Sequence, residues 1–401
     1  MSAQRFKKVL LPIFISILVF SPAGCKWTGP KPPQAHRGLI DLRDWDFKSN
    51  GPADLIGEWE FHWQRHLLPA DFSRAAPPPS GYIQVPGFWK GYPLDGSHLP
   101  GTGYATYRLK VLLKPADASL SLKIEEVSTA YTIFIDRRPA FSAGLAGMTP
   151  ATTVPRQFPA IVAFQPDSGQ VEILLQVSNF HHRRGGPWDL ITLGSETQIR
   201  RLNEIQRSFD FFILGAIFSM AVYHLSLFAV RQKFRPTLYF GVVCLLVALR
   251  LLTTDERHLL QFAPAIDWGV LIKLEYLSYY LAVPAFAFFL KSLFPQLPRN
   301  LLRAILVIGF GFSAVVLFTP PAVFTHTLHA YDIFTLGLFV YTFRLLLSDP
   351  VRRQVEAFVL MIGLLGLCLA VVNDMLHVER VIRTGFFAPF GMLFFIFSQA
   401  F

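Results

Sequence analysis

The densest set of chemistry-bearing side chains in the sequence sits in one turn, Asn179-Phe-His-His-Arg-Arg-Gly-Gly-Pro-Trp188. His181, His182 and Arg183 offer hydrogen-bonding groups, and Trp188 offers a flat aromatic face. Together they suit the recognition of a small polar ligand or a sugar ring, a contact between domains, or a structural turn. Trp89 is a further candidate face for stacking, as are Trp59 and Trp63, the alternative for each, and for Trp188, being packing in the core. Adjacent residues on an extended chain point to opposite sides, so His181 and His182 are not expected to hold one metal ion. The sequence has no zinc-like spacing, no GxSxG, no HExxH and no phosphate loop, and it implies no cofactor and no metal.

A second set of polar residues lies where polarity is costly. Arg250, Glu275, Asp332, Asn373 and Asp374 fall inside long apolar stretches. A charge at the centre of a bilayer costs at least about 2.5–3.5 kcal/mol on insertion scales, so such groups face the bundle interior and pair. Asp332 is nine residues into its stretch, about 14 Å deep at 1.5 Å per residue, too deep for a short side chain to reach water. The expectation is a polar cluster in which Arg250 pairs with Glu275 or Asp374, coupling ligand binding to helix movement.

These groups must be positioned by two different kinds of chain. Of the 401 residues, 52% are hydrophobic and 16% charged, against about 25% charged in soluble domains. The deficit falls almost wholly after Ser208. Seven apolar stretches follow, at 209–230, 236–254, 268–294, 300–320, 323–347, 354–376 and 384–401. Each reaches the length needed to cross a bilayer core. Loops after the first, third and fifth carry Arg231, Lys233, Arg235, Lys291, Arg299, Arg303, Arg344, Arg352 and Arg353; the alternate loops carry Arg257, Arg380 and Arg383. This bias puts the first set in the cytoplasm, residues 26–200 outside it and the C-terminus inside. It also accounts for much of the +10 net charge, so no nucleic-acid partner is expected.

Before the apolar half, residues 39–200 alternate and turn often, with 201–208 as a juxtamembrane linker. Ser119-Leu-Ser-Leu-Lys-Ile-Glu125, Tyr131–Asp136 and Val171–Ser178 read as short strands between Pro, Gly and Asp clusters. A β-sandwich or jelly roll is expected, without internal disulfides, since Cys25, Cys244 and Cys368 all lie outside it. Residues 1–25 have a signal-peptide layout: Arg5, Lys7 and Lys8, an apolar run, then small residues. Ala23-Gly24-Cys25 resembles the end of a bacterial lipoprotein signal, with Pro22 where Leu is usual. This makes Cys25 the candidate for lipidation, the alternative being an ordinary signal peptide. Residues 26–38 read as a tether.

Two resemblances follow from short motifs in order. Gly57-Glu-Trp-Glu-Phe61, Val85-Pro-Gly-Phe-Trp89 and Gly103-Tyr-Ala-Thr-Tyr-Arg-Leu109 resemble the sugar-binding jelly rolls found beside glycosidase domains. Met220-Ala-Val-Tyr-His-Leu-Ser-Leu-Phe228, Leu238-Tyr-Phe-Gly241, Lys273-Leu-Glu-Tyr-Leu-Ser278, Asn373-Asp374 and Phe394-Phe-Ile-Phe-Ser-Gln-Ala400 resemble the bacterial seven-transmembrane receptors with diverse intracellular signalling modules. That resemblance implies a multi-pass receptor of the bacterial inner membrane, not itself an enzyme. It would sense a small molecule or carbohydrate outside and signal to a cytoplasmic module lying beyond residue 401. Membrane lipid and a second copy of the chain, as a homodimer, are the other implied partners. A transporter or channel with a carbohydrate-binding-like cap is the alternative reading.

Overall fold

The computed structural model of the chain describes residues 30–74, 76–114, 119–167, 169–347, 355–378, 381–382, 384 and 387–399. The signal-peptide stretch and Cys25 lie outside the described residues.

Among the described residues, fifteen strands build the N-terminal half: β1 (Leu39–Asp41), β2 (Ala53–Asp54), β3 (Gly57–Trp63), β4 (Gly81–Val85), β5 (Pro93–Leu94), β6 (Ser97–His98), β7 (Gly103–Leu112), β8 (Leu120–Ile124), β9 (Val127–Ser128), β10 (Ala130–Ile135), β11 (Arg138–Ala143), β12 (Ala160–Phe164), β13 (Gln170–Asn179), β14 (Gly186–Pro187) and β15 (Ile191–Ser195). The larger sheet runs β11-β10-β13-β7-β3-β4, with β1 added parallel to β7; the smaller runs β12-β8-β15-β2. The other ladders in both sheets are antiparallel. Both sheets feed one apolar core that includes Trp59, Phe61, Tyr107, Leu122, Ile173 and Leu193, as expected of a sandwich. The polar face of the larger sheet is tied too. Arg108 on β7 bonds Glu172 of β13 at 2.7 Å and Glu60 of β3 at 3.1 Å, under the ring of Phe72.

The alternation of Ser119–Glu125 predicts a strand with one face in water. The strand forms, but all of β8 is buried, Ser121 and Lys123 included. Its polar face is covered by the helical half, where Lys123 donates to Gln206 at 2.7 Å and pairs with Glu256 at 3.0 Å.

Seven helices of twelve residues or more follow among the described residues: α1 (Glu196–Val230), α2 (Arg235–Thr253), α3 (Trp268–Leu293), α4 (Arg299–Phe318), α5 (Leu328–Leu346), α6 (Val355–Val378) and α7 (Ala388–Gln399). In α1, α2, α3, α4 and α6 the helix is long and apolar enough to cross a membrane. Their positions follow the apolar stretches closely, and three boundaries differ for physical reasons. No linker separates the halves at 201–208, because Ser195 and Gln198 form a capping box that starts α1 directly from the end of β15. The fifth stretch begins with a single turn at Pro321–Phe324 and a 3-10 turn at Thr325–Thr327, so α5 starts at Leu328. The seventh starts at Ala388, with Pro389 in the first turn where its missing N–H does no harm. Helices α3 and α4 meet closely where Gly309 faces Pro284: a Cβ on Gly309 would come 2.3 Å from the proline ring.

Candidate functional site

The loop 179–189 leaves β13, crosses the end of the β-sandwich nearest the bundle and returns to β15. Asn179 holds it in shape. Its side-chain amide donates to the carbonyls of Gly101 and His182, both at 2.8 Å, and its oxygen accepts from the His182 N–H at 3.0 Å. Trp89 lies underneath, fully buried, with its indole N–H on the Gly101 carbonyl at 3.2 Å and its ring edge-on to Trp63. The chain passes directly over this ring at Gly185, where a Cβ would come 2.2 Å from Trp89 Cζ2. Trp89 therefore supports the loop from the core and offers no face to a ligand, a correction to the stacking role expected of it. Trp59 is likewise fully buried, donating to the Leu55 carbonyl at 3.1 Å.

The loop docks on the bundle. Arg183 places its guanidinium on the His329 ring at the start of α5, and its backbone N–H donates to Thr325 Oγ1 at 3.2 Å. His181 sets its ring edge against Trp268, the first residue of α3. His182 is buried, with Nδ1 at 3.1 Å from the Arg184 carbonyl and its ring against Trp188. Burial foremost, and then the flanking arginines, push its pKa down to about 3, so it is a neutral imidazole.

Beneath the loop lies a cavity of about 570 Å³, within the range of about 300–1,000 Å³ typical of small-ligand sites. His182, Arg183 and Trp188 line it from the β-sandwich, and Arg250, Glu275, Asp332 and Asp374 line it from the helices. The turn residues and the intramembrane polar residues, read from the sequence as two sites, thus meet in one. His181 and Trp89 are not on its wall, and Asn373 stands one residue behind it.

The contacts differ in detail from those expected. Arg250 reaches Glu275 at the backbone carbonyl, 3.2 Å away, and lies over the ring of Tyr279. The Glu275 carboxylate instead takes Arg257 at 3.2 Å. Asp332 accepts from the Tyr279 hydroxyl at 3.0 Å. Asp374 accepts the N–H groups of Phe387 at 2.6 Å and Ala388 at 2.8 Å, and so caps the start of α7. Asn373 donates to Asp374 at 3.1 Å and accepts from Thr384 at 2.6 Å, tying that residue to α6.

Arg257, read from the sequence as an ordinary loop charge, is the centre of the junction. Only 4% exposed, it donates to Glu126 at 2.9 Å and Gln157 at 3.2 Å in the β-sandwich, and to Glu275 of α3. Gln157 also accepts from the Trp268 indole at 3.0 Å. The run Asp255-Glu256-Arg257-His258 was the available signal: four charged or titratable residues in a short loop that the charge rule leaves outside the cytoplasm. Its neighbours complete the junction, Glu256 on Lys123 and His258 on Asp210 of α1 at 3.0 Å. Beside Lys123, desolvation and the nearby Asp189 push Glu125 up to about 7.

Residues 206–401 match the family described as 7TM diverse intracellular signalling. No curated protein matches the chain. Among solved structures, a GH2 beta-galacturonidase from Eisenbergiella tayi is 19% identical, covering 36% of this chain and 24% of its own, with a TM-score of 0.26. The Ruminococcus gnavus beta-glucuronidase is 11% identical over 35% of this chain and 27% of its own, with a TM-score of 0.27. A beta-glucuronidase from an uncultured Clostridium sp. is 14% identical over 36% and 29%, also at 0.27. The chain spans less than a third of the length of these proteins, and no activity follows from a likeness of this size.

Proposed function

Since residues 206–401 are the membrane module of the 7TM diverse intracellular signalling family, we propose that the chain is a sensory receptor whose ligand sits between the β-sandwich and the helix bundle. The observation that carries this is the shared wall of the cavity: the 182–189 loop and helices α2, α3, α5, α6 and α7 all line it. An occupant touches both halves at once, so its binding free energy depends on their relative position. That dependence is what a ligand-driven shift requires. Glu126, Gln157, Arg257 and Glu275 form the buried polar joint through which such a shift passes to α2 and α3.

The orientation we propose puts the β-sandwich on the extracytoplasmic side of a bacterial inner membrane and the end of α7 toward the cytoplasm. The loop-charge bias and the signal-peptide layout support it independently. A small molecule or a carbohydrate reaching the cavity would then be read as a signal by a cytoplasmic module or a partner copy.

The test is a chimera in which α7 is continued into a histidine-kinase core read by a transcriptional reporter. Arg257→Gln, at the joint, is expected to change the basal output at normal membrane abundance. The substitution Leu145→Ala, at an exposed side chain of the β-sandwich, is expected to leave it unchanged. If output is insensitive to Arg257→Gln in a folded, membrane-inserted chimera, the joint carries no signal and the reading fails.

A further inference from the structure

The cavity is divided by chemistry, and the division says what fits. Its part near the β-sandwich is ringed by charged side chains. Its part within the bundle is lined by Val243, Val247, Leu336, Phe339, Leu367 and Met392. Two wall residues are widely exposed, Ile333 on α5 at 72% and Val381 just beyond α6 at 68%. Both are apolar, so the wall presents apolar surface outward at these two described positions.

Of the five carboxyl groups on the wall, Asp189, Glu275, Asp332 and Asp374 have donors, and burial pushes the Asp255 carboxyl well above the usual carboxylate range. Glu275 has Arg257, Asp374 has two backbone N–H groups and the Asn373 amide, and Asp332 has the Tyr279 hydroxyl. Arg257 and Arg183 are engaged as well, on Glu126 and Glu275 and on His329. Arg250 is different. Its contacts are one carbonyl oxygen and one aromatic face, and it forms no ion pair with a described carboxylate. A guanidinium carries five donors in a fixed fork, and a charge within a membrane segment calls for a counter-charge.

We propose that the cavity binds an anionic amphiphile, its acidic head group against Arg250 and its hydrocarbon chain between α2, α5 and α6. This rests on the receptor reading of the same cavity and names the chemistry of its ligand. The head completes the fork of Arg250 with charge-assisted hydrogen bonds. The chain fills the apolar part, where each buried Å² of apolar surface contributes about 25 cal/mol. The apolar surface at Ile333 and Val381 gives such a molecule a path from the leaflet nearest the β-sandwich. A free long-chain acid and an anionic phospholipid share this chemistry.

The experiment compares palmitate and hexadecanol, equal in chain and different in head, on the full-length protein in phosphatidylcholine nanodiscs, with protein-free nanodiscs as the blank. Palmitate is expected to bind about tenfold tighter or more, the factor that one charge-assisted contact supplies. Arg250→Gln should remove most of that preference and Arg250→Lys should restore part of it. Phosphatidylglycerol added to the nanodiscs separates the sources: competition with palmitate identifies the bilayer lipid, and its absence identifies the free acid, and either supports the proposal. Equal binding of the two probes by the unaltered protein overturns it, with no variant needed. A preference unchanged in folded Arg250→Gln also overturns it. The readout is independent of the kinase chimera. Head-group selectivity without any change of output would sink the receptor reading alone, and a coupled output without selectivity would sink this one.

Discussion

Arg257 and Glu126 lie 131 positions apart in sequence and 2.9 Å apart in space, and their contact joins a helical loop to the β-sandwich. Breaking a buried pair by removing one partner costs about 3–5 kcal/mol. Arg257→Gln is therefore expected to lower the melting temperature of the detergent-solubilised chain, Glu126→Gln by less because it is the more exposed partner. The double variant should fall short of the sum, as coupled residues do. Strict additivity would show that the two do not act on each other.

Gly185→Ala forces a methyl group against Trp89, at 2.2 Å from its ring. Overpacking of this kind costs about 1–3 kcal/mol, and here it should displace the 182–188 loop. Hydrogen exchange in that loop is the measurement, with faster exchange expected in Gly185→Ala. Trp89→Leu added to it should return part of the protection; if the double variant is the looser of the two, the ring is not what the alanine strikes.

Asp374 holds the first turn of α7 by two backbone N–H groups. Asp374→Ala removes this cap at about 1 kcal/mol and should raise amide exchange at Phe387 and Ala388, with Asp374→Asn intermediate. Unchanged exchange at those two amides would show that α7 starts without help from α6.

Stability should also depend on pH through Glu125. Its carboxyl is raised from an ordinary 4.5 to about 7, by burial first and the charge of Asp189 second. A raised acid binds its proton more tightly folded than unfolded. Its contribution is therefore fully present below about 4.5 and is lost as pH rises through about 7. His182, lowered from 6.5 to about 3, runs the other way: its contribution is present above 6.5 and lost as pH falls toward 3. Between about pH 5 and 6.5 the two slopes oppose each other, so Glu125→Gln should make the melting temperature rise more steeply with pH there than it does in the parent. The same pH dependence in Glu125→Gln as in the parent would remove Glu125 as a contributor.

A reporter active only in the cytoplasm, fused after Gln198, should be silent if the loop-charge bias sets the topology. Strong activity there would invert the proposed orientation and with it the side from which ligand arrives.

Much of the architecture was legible because it is written locally. Alternation marked β8, β10 and β13, and apolar length marked the helices. The capping box at Ser195 was equally local, and reading it would have joined α1 to the β-sandwich without a linker. The site was legible only in its parts. Asp332, Asp374 and Arg250 announced themselves by being polar in apolar surroundings, and His182 and Arg183 by their density of hydrogen-bonding groups. That all of them face one cavity depends on where the 179–189 loop lands on α5, a contact between residues some 145 positions apart. Arg257 was hidden because a charged loop residue looks the same in sequence whether it faces water or a partner. Trp89 misled for the opposite reason: an indole beneath a glycine turn and an indole open to a sugar have the same letter.

The uninterrupted run from Ser195 to Val230 makes α1 a lever. Its 35 residues span about 52 Å at 1.5 Å per residue, with one end continuing β15, an inner strand of the smaller sheet, and the other reaching the opposite end of the bundle. Rigid rods magnify rotation into travel: a pivot of about 5° at the seated end carries the far tip through about 4–5 Å over that length. A small tilt of the β-sandwich on the bundle would thus arrive at the opposite face as a stroke comparable to one helical turn.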